Sequence, residues 1–305
     1  MDINAPDFVD SFKLDEAVVG IVGQGFVGSA MKAFFERKVK CLTYDKFKPE
    51  TGTTLEEVVK GSDIIFVCVP TPMRRNGECY TGIPEEVFND ISRVADEVGR
   101  PKNSFVCCLK STVPPGFTDT MRNTHKDMRI VFSPEFLTEK NAVGDMINAN
   151  RVIVGGEYED ARIVLQFFLS VDHRRIDEGK CVLIATNAAA AEMAKLFGNG
   201  ILFAKVLFSN EVYKLCQAMG IDYQEVRILG ALDPRVGASH TAVPGPDSHL
   251  GAGGHCFPKD MHNLKFLADV YSTDELMFSA VLKRNGELRD EKDWEKMEDR
   301  AVTDK

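Results

Sequence analysis

The chain has 305 residues, 44% of them hydrophobic and 27% charged, with a formal net charge of -9. That is the balance of a soluble globular protein of about two domains. The acidic excess speaks against nucleic acid or an anionic membrane as partner, because both need a basic face. No apolar run reaches the roughly 18 residues that a transmembrane helix needs.

The first residues, MDINAPDFVDSFKLDEA, are acidic and lack the basic-then-apolar order of a signal peptide. Eight cysteines stand at 41, 68, 79, 107, 108, 181, 216 and 256, and none forms a CxxC pair. They read as reduced thiols of a cytoplasmic protein, with neither a disulfide framework nor a metal site. Seven read as small core residues. Cys256 differs, because glycines surround it.

Residues 1–185 alternate short apolar runs with amphipathic stretches. Val18–Val22, Val39–Tyr44, Ile64–Val69, Phe105–Leu109, Arg129–Phe132, Arg151–Val154 and Val182–Ile184 read as strands. Gly28–Arg37, Leu55–Lys60, Glu85–Val98 and Glu159–Leu169 read as helices. The alternation predicts an α/β fold, a Rossmann-like doubly wound parallel sheet covered on both faces. At Thr186 the texture changes. Asn187–Met219 is proline-free and rich in Ala, Leu, Met and Lys. It predicts one helix of about 50 Å, with Thr186 as N-cap and Gly220 as stop. A helix so long links domains or lies in a dimer interface. A shorter helix follows over Asp222–Leu232, then loop to Pro258. Two more helices are expected, about Lys259–Tyr271 and Asp274–Arg300, the last with a solvated, frayed end. The predicted domains are therefore 1–185, dinucleotide-binding, and 186–305, a smaller all-α domain built on the long central helix.

Two segments carry chemistry. Gly23-x-Gly25-x-x-Gly28 follows a strand, opens a helix, and stands twenty residues (from Gly25) before Asp45 at the end of the next strand. In that context the glycines admit a pyrophosphate to the helix start, with Phe26 and Val27 in the same turn. Asp45 would bind the ribose hydroxyls and repel a 2′-phosphate, so NAD is the expected cofactor. Lys46 and Lys48 weaken that preference slightly. Thr71 and Thr112 follow later strands, where ligands of an open parallel sheet sit.

The second segment is Gly251-Ala252-Gly253-Gly254-His255-Cys256-Phe257-Pro258-Lys259-Asp260. Glycine lets backbone approach a ligand, and a nearby cation favours the thiolate, the form that attacks carbon.

GQGFVG with Asp45, CVPTP, KSTVP, SPEFLTE, AEMAKLFGN, DPRVG and GAGGHCFPKD occur in the order of the UDP-glucose and GDP-mannose dehydrogenases, which the chain resembles over Val18–Asp260. The resemblance implies four-electron oxidation of a nucleotide-activated hexose, most simply UDP-glucose to UDP-glucuronate, with reduction of two NAD. It implies that Cys256 forms a thiohemiacetal and then a thioester. Lys195 and Asn199 would steady the oxyanion, and Asp260 would orient a water with the lysine. Thr112 and Glu139 would position the water that hydrolyses the thioester. Glu135 and Gly253 would lie at the substrate, Lys259 near the cofactor, and Arg235 would reach the partner's sugar site in a homodimer. Each also has a plain reading: a solvated helix lysine at 195, helix-start acids at 135 and 139, a surface ion pair at 235.

Two departures stand out. The family carries a third α/β domain that grips the nucleotide; here either a partner chain supplies it or a smaller sugar is the substrate. Ala252 replaces the family's usual aromatic residue. Three functions therefore follow from the residues. One is the nucleotide-sugar dehydrogenase, on UDP-glucose, GDP-mannose or a UDP-N-acetylhexosamine. Another is a silent NAD-binding or interaction protein of that descent. The last is a two-electron hydroxyacid dehydrogenase that needs no thiol.

Overall fold

The computed structural model describes residues 16–305, apart from the side chains at 51, 139 and 173–177. The acidic N-terminal stretch lies outside them. The strands are β1 (Val18–Val22), β2 (Lys40–Tyr44), β3 (Ile64–Val67), β4 (Met73–Arg74), β5 (Val106–Leu109), β6 (Arg129–Phe132), β7 (Arg151–Gly155), β8 (Val182–Thr186) and β9 (Val302–Thr303). The helices are α1 (Phe26–Phe35), α2 (Leu55–Gly61), α3 (Gly82–Glu97), α4 (Phe117–Thr124), α5 (Ala142–Ile147), α6 (Tyr158–Asp177), α7 (Ala188–Met219), α8 (Tyr223–Gly230), α9 (Phe257–Val270) and α10 (Leu276–Leu288).

The chain divides into two compact units. One runs to Pro70 and resumes over Thr81–Lys195; the other joins Thr71–Tyr80 to Leu196–Lys305. The division falls inside α7 and not at residue 185. The segment before α3 goes with the C-terminal half.

The first unit is a seven-stranded sheet in the order β2-β1-β3-β5-β6-β7-β8. Every pairing is parallel except β6 with β7. The antiparallel junction departs from the all-parallel expectation. It rests on a single pair, Phe132 with Gly155. Strand order reverses at β1, whose Val22 pairs with Tyr44 on one side and Val67 on the other. The carboxyl ends of β1 and β3 are thus the place for a ligand. Both faces are covered. On one, Phe34, Phe35, Phe66 and Phe168 form an aromatic cluster, with Phe35 stacked on Phe66 at 5.2 Å. On the other, Val58, Phe88, Ile91 and Phe117 pack under α2, α3 and α4. Each fully buried phenylalanine contributes about 1.5–3 kcal/mol. This explains why the strands are nearly all apolar.

The second unit is helical around α7, with a small core of Phe203, Leu207, Ala252, Met261, Val281 and Leu288. It is not all-α. β4 and β9 form a two-stranded parallel ribbon, Met73 with Val302 and Arg74 with Thr303. The expected helix over Asp274–Arg300 ends at Leu288, where Arg289 turns extended (φ -102, ψ 106). The charges of the tail alternate with Trp294, Met297, Ala301 and Val302, and these close over Met73. Burying them outweighs continued helix, so the frayed end is a packed turn and strand.

Candidate active site

The Gly23–Gly28 turn divides its labour. Gly23 has φ +94, and a Cβ there would stand 2.4 Å from the Cys68 carbonyl oxygen. A Cβ on Gly28 would stand 1.8 Å from the Gly23 oxygen. These two glycines are needed by the turn itself. Gly25 differs, since a Cβ there meets nothing within 4 Å. It is the N-cap of α1 and carries no side chain that would stand over the helix start, where the helix dipole favours an anion. Phe26 and Val27 begin that first turn, half-buried. The Gln24 N–H donates to Asp45 Oδ2 at 2.7 Å and the Phe47 N–H to Oδ1 at 2.9 Å. The carboxylate is therefore fixed beside the turn. Open backbone at Gly25, a helix N-terminus and a placed carboxylate suit the pyrophosphate and ribose of NAD. Lys46 is engaged by Glu86 at 2.8 Å, and Lys48 donates to the Gln24 carbonyl at 3.0 Å. Both lysines thus have protein partners at this end of β2.

At the end of β6 the chain runs Ser133-Pro134-Glu135. Lys195, from the first turns of α7, donates to the Glu135 carbonyl oxygen at 2.6 Å and to Oε1 at 3.1 Å. Its side chain is 4% exposed, so it is no solvated helix lysine. Glu135 Oε2 also accepts the Leu137 N–H at 2.6 Å. Glu139 opens a single 3-10 turn, Glu139–Asn141. Thr112 is half-buried just past β5. Beside it Ser111 Oγ donates to the Val69 carbonyl at 2.6 Å and fixes the ends of β3 and β5 together.

Cys256 is the residue immediately before α9. A helix N-terminus carries partial positive charge and favours a thiolate there. Lys259 and Asp260 lie on the first turn of the same helix and are both buried. Asp260 accepts from Asn199 Nδ2 at 2.6 Å and from Lys259 Nζ at 2.5 Å. Burial alone would lower the Lys259 pKa, but the charge and hydrogen bond of Asp260, with Cys79 and Cys256 nearby, together outweigh it and hold the ammonium well above its usual range. Other thiols are kept out of the thiolate form. Burial pushes Cys68 and Cys108 up to about 12, and Cys41 and Cys79 up to about 11.

Within each unit, then, the structure joins Lys195 to Glu135, Asn199 to Asp260 and Lys259, and Asp45 to the glycine turn. Thr71 is buried in the loop before β4. Arg235 is 89% exposed and paired with Asp233 at 2.6 Å, the plain surface ion pair. Gly253 lies against Arg289: a Cβ there would stand 2.0 Å from Nη2. Ala252 is buried in the helical core, where a small side chain suffices.

Sequence reasoning missed Glu192. It is fully buried, and its carboxylate accepts the Gly116 N–H at 2.6 Å and the Thr118 N–H at 2.9 Å. Burial raises its pKa, against those hydrogen bonds. It thereby caps α4, the helix that follows Lys110-Ser111-Thr112. The signal was present: a lone acid among alanines, one turn before Lys195. Lys110 was also passed over. Its ammonium is buried, donates to Ser133 Oγ at 3.0 Å, and has its pKa lowered by desolvation.

Residues 39–169 match the NAD binding domain of the UDP-glucose/GDP-mannose dehydrogenase family, and residues 189–287 match its central domain. The chain belongs to this family. A putative UDP-glucose 6-dehydrogenase YtcA of Bacillus subtilis is 33% identical over 245 residues, 77% of this chain and 52% of that protein. A UDP-glucose 6-dehydrogenase of Rickettsia bellii is 26% identical over 304 residues, 88% of this chain and 67% of that protein. The chain thus spans about half to two thirds of these relatives. The structure of a UDP-glucose dehydrogenase from the archaeon Pyrobaculum islandicum superposes with a TM-score of 0.77 at 23% identity, over 92% of this chain and 70% of that one. That likeness concerns the fold. In this family the first unit is the NAD-binding domain, which agrees with the glycine turn and Asp45.

Proposed function

We propose that the chain oxidises the primary alcohol of a nucleotide-activated hexose to the carboxylate in two NAD-dependent steps, with UDP-glucose as the first substrate to test. One observation carries the reading. Cys256 heads α9, and the first turn of that helix holds Lys259 and Asp260 in a buried network with Asn199. A merely structural helix start has no need of a buried ammonium, carboxylate and amide next to a half-buried thiol.

NAD, when bound, supplies the hydride acceptor for each oxidation. The first oxidation removes a hydride from the carbon, releases the hydroxyl proton to solvent and leaves an aldehyde. The Cys256 thiolate donates an electron pair to its carbon, forming a C–S bond and an oxyanion. Lys195 and Asn199 steady that oxyanion by charge and hydrogen bonding. Loss of a second hydride from the same carbon gives a thioester. Water, placed by Thr112 and Glu139, adds to the thioester carbon and gives up both protons to solvent, the C–S bond breaks, and the thiolate returns as the carboxylate leaves. Asp260 keeps Lys259 and Asn199 in place through this sequence. Glu135 holds Lys195 toward the sugar, and Gly253 lies in the loop that meets it.

The cytoplasm is the expected compartment, where the thiol stays reduced. A homodimer through α7 is part of the same reading. Phe197, Ile201, Phe208, Leu215 and Met219 recur along α7 and are 55–71% exposed. Spacings of four and seven place them on one side of the helix, and a stripe of that kind on a soluble chain marks an interface. Arg235 would then act on the partner's sugar.

The test is NADH formation with a panel of UDP-glucose, GDP-mannose and a UDP-N-acetylhexosamine. Two NADH per sugar, and loss of acid formation in Cys256→Ala, support the reading. Full acid production by Cys256→Ala would sink it.

A further inference from the structure

The glycine-rich loop before Cys256 is held by side chains from α10 and the turn beyond it. Asn285 is 2% exposed. Its Oδ1 accepts the Ala252 N–H at 2.8 Å, and its Nδ2 donates to the Ala252 carbonyl at 2.9 Å. One amide thus pairs with both polar groups of one residue, as a neighbouring strand would. Four residues on, Arg289 is 4% exposed. Its Nη1 donates to the Leu250 carbonyl at 3.4 Å, and its Nη2 donates to Asp247 at 2.7 Å and to Asp293 at 3.2 Å. Asp293 in turn accepts the Gly254 N–H at 2.9 Å. A buried loop must satisfy its backbone groups; here Asn285, Arg289 and Asp293 do most of it, and Asn210 of α7 accepts the Gly251 N–H at 3.1 Å.

The glycines fit that clamp. A Cβ at Gly251 would stand 2.6 Å from Asn285 Oδ1. At Gly253 it would stand 2.0 Å from Arg289 Nη2 and 2.7 Å from Asp293 Oδ1. Both positions lack a side chain because the clamp fills that space. Gly254 is the reverse: its φ is +74, and a Cβ there would meet nothing within 4 Å. The loop therefore turns two of its glycines onto α10 and leaves the third open, two residues before the thiol.

We propose that Asn285 and Arg289 are positioning residues, setting the loop that fixes where the Cys256 sulfur stands. The proposal rests on the reading of Cys256 as nucleophile. Neither residue touches the reacting carbon; both act through the backbone of 250–254. A misplacement of about 1 Å costs on the order of 100-fold in rate, so the clamp has leverage without chemistry of its own.

The experiment compares the full chain with Asn285→Asp, which keeps the acceptor and loses the donor, and with Arg289→Lys and Arg289→Met. Three readouts are taken: the melting midpoint, kcat and KM for NAD with UDP-glucose, and the pH profile of Cys256 alkylation by iodoacetamide, read on the Cys256 peptide. The expected result is a fall in kcat of about 10- to 100-fold at unchanged KM for NAD. The alkylation profile should shift, and Arg289→Lys should recover part of what Arg289→Met loses. Folded variants with wild-type kcat and wild-type alkylation overturn the proposal. So do variants that unfold even in the cold, which would make both residues general scaffold. Should the unaltered chain turn over no sugar, the reading of Cys256 fails separately, and the alkylation profiles still decide the clamp.

Discussion

The Lys195 ammonium donates to both the main-chain oxygen and the carboxylate of Glu135, at 2.6 and 3.1 Å, with both side chains under a tenth exposed. Removing the cation leaves a buried carboxylate without its ion-pair partner. Lys195→Met should therefore cost about 3–5 kcal/mol of stability, as for other broken buried pairs. Lys195→Met/Glu135→Leu should be milder than Lys195→Met. Urea unfolding of the two variants checks this, and equal losses would contradict the pairing.

The three glycines of the first turn should respond differently. Gly28→Ala forces a Cβ into the Gly23 carbonyl and should destabilise the first unit by about 2 kcal/mol or more. Gly25→Ala meets open space, so the melting midpoint should hold while NAD affinity falls. Asp45→Asn should weaken NAD and narrow its advantage over NADP. Fluorescence titration with both cofactors, alongside thermal melts, separates these effects.

Glu192→Ala would strand the Gly116 and Thr118 N–H groups. Each orphaned buried donor costs about 1–3 kcal/mol. The loss should concentrate at α4. Hydrogen exchange should show α4 amides opening faster while β1 and β3 keep their protection; uniform loss would count against a local cap.

Burial depresses the pKa of His125, His240 and His262, assisted by Lys205 at His240 and by Lys265 and Lys292 at His262. A depressed folded value means the unfolded chain takes up protons first as pH falls. Their contribution to stability is thus present above the ordinary value of 6.5 and is lost as pH drops through the folded values. The urea midpoint should fall between about pH 7.5 and about pH 5.5, and less so in His262→Gln. An identical slope in that variant would remove His262 from the account.

The α7 stripe is tested by charge. Phe208→Asp, at a position 71% exposed, should leave the melting curve of a dilute sample unchanged and shift sedimentation to a smaller species. If sedimentation is unaltered, the stripe is not the interface.

The sheet was readable because its central strands β1, β3, β5 and β6 are buried on both faces and so nearly all apolar, and because each Rossmann element is local in sequence. The tail was not. Asp274–Arg300 has helical composition, and the competing gain lies in Met73, more than two hundred residues away, under Trp294 and Ala301. The two-residue strands β4 and β9 have no period to detect. In the candidate site, the glycine turn with Asp45 followed from spacing. Lys195 and Asn199 came only from the family resemblance, and their separate partners, Glu135 and Asp260, left no mark in the sequence. Glu192 and Asn285 stayed hidden because each works on backbone groups far along the chain, and backbone leaves no mark in a sequence pattern.

The ribbon of β4 and β9 ties the last residues of the chain to an early loop, and Asp293, at the root of that tail, holds Gly254. Tail and thiol are therefore mechanically in series. A tag, a fusion joint or a protease nick around Trp294 would be felt at the sulfur, and preparations that differ only there should not be assumed equivalent in thiol reactivity.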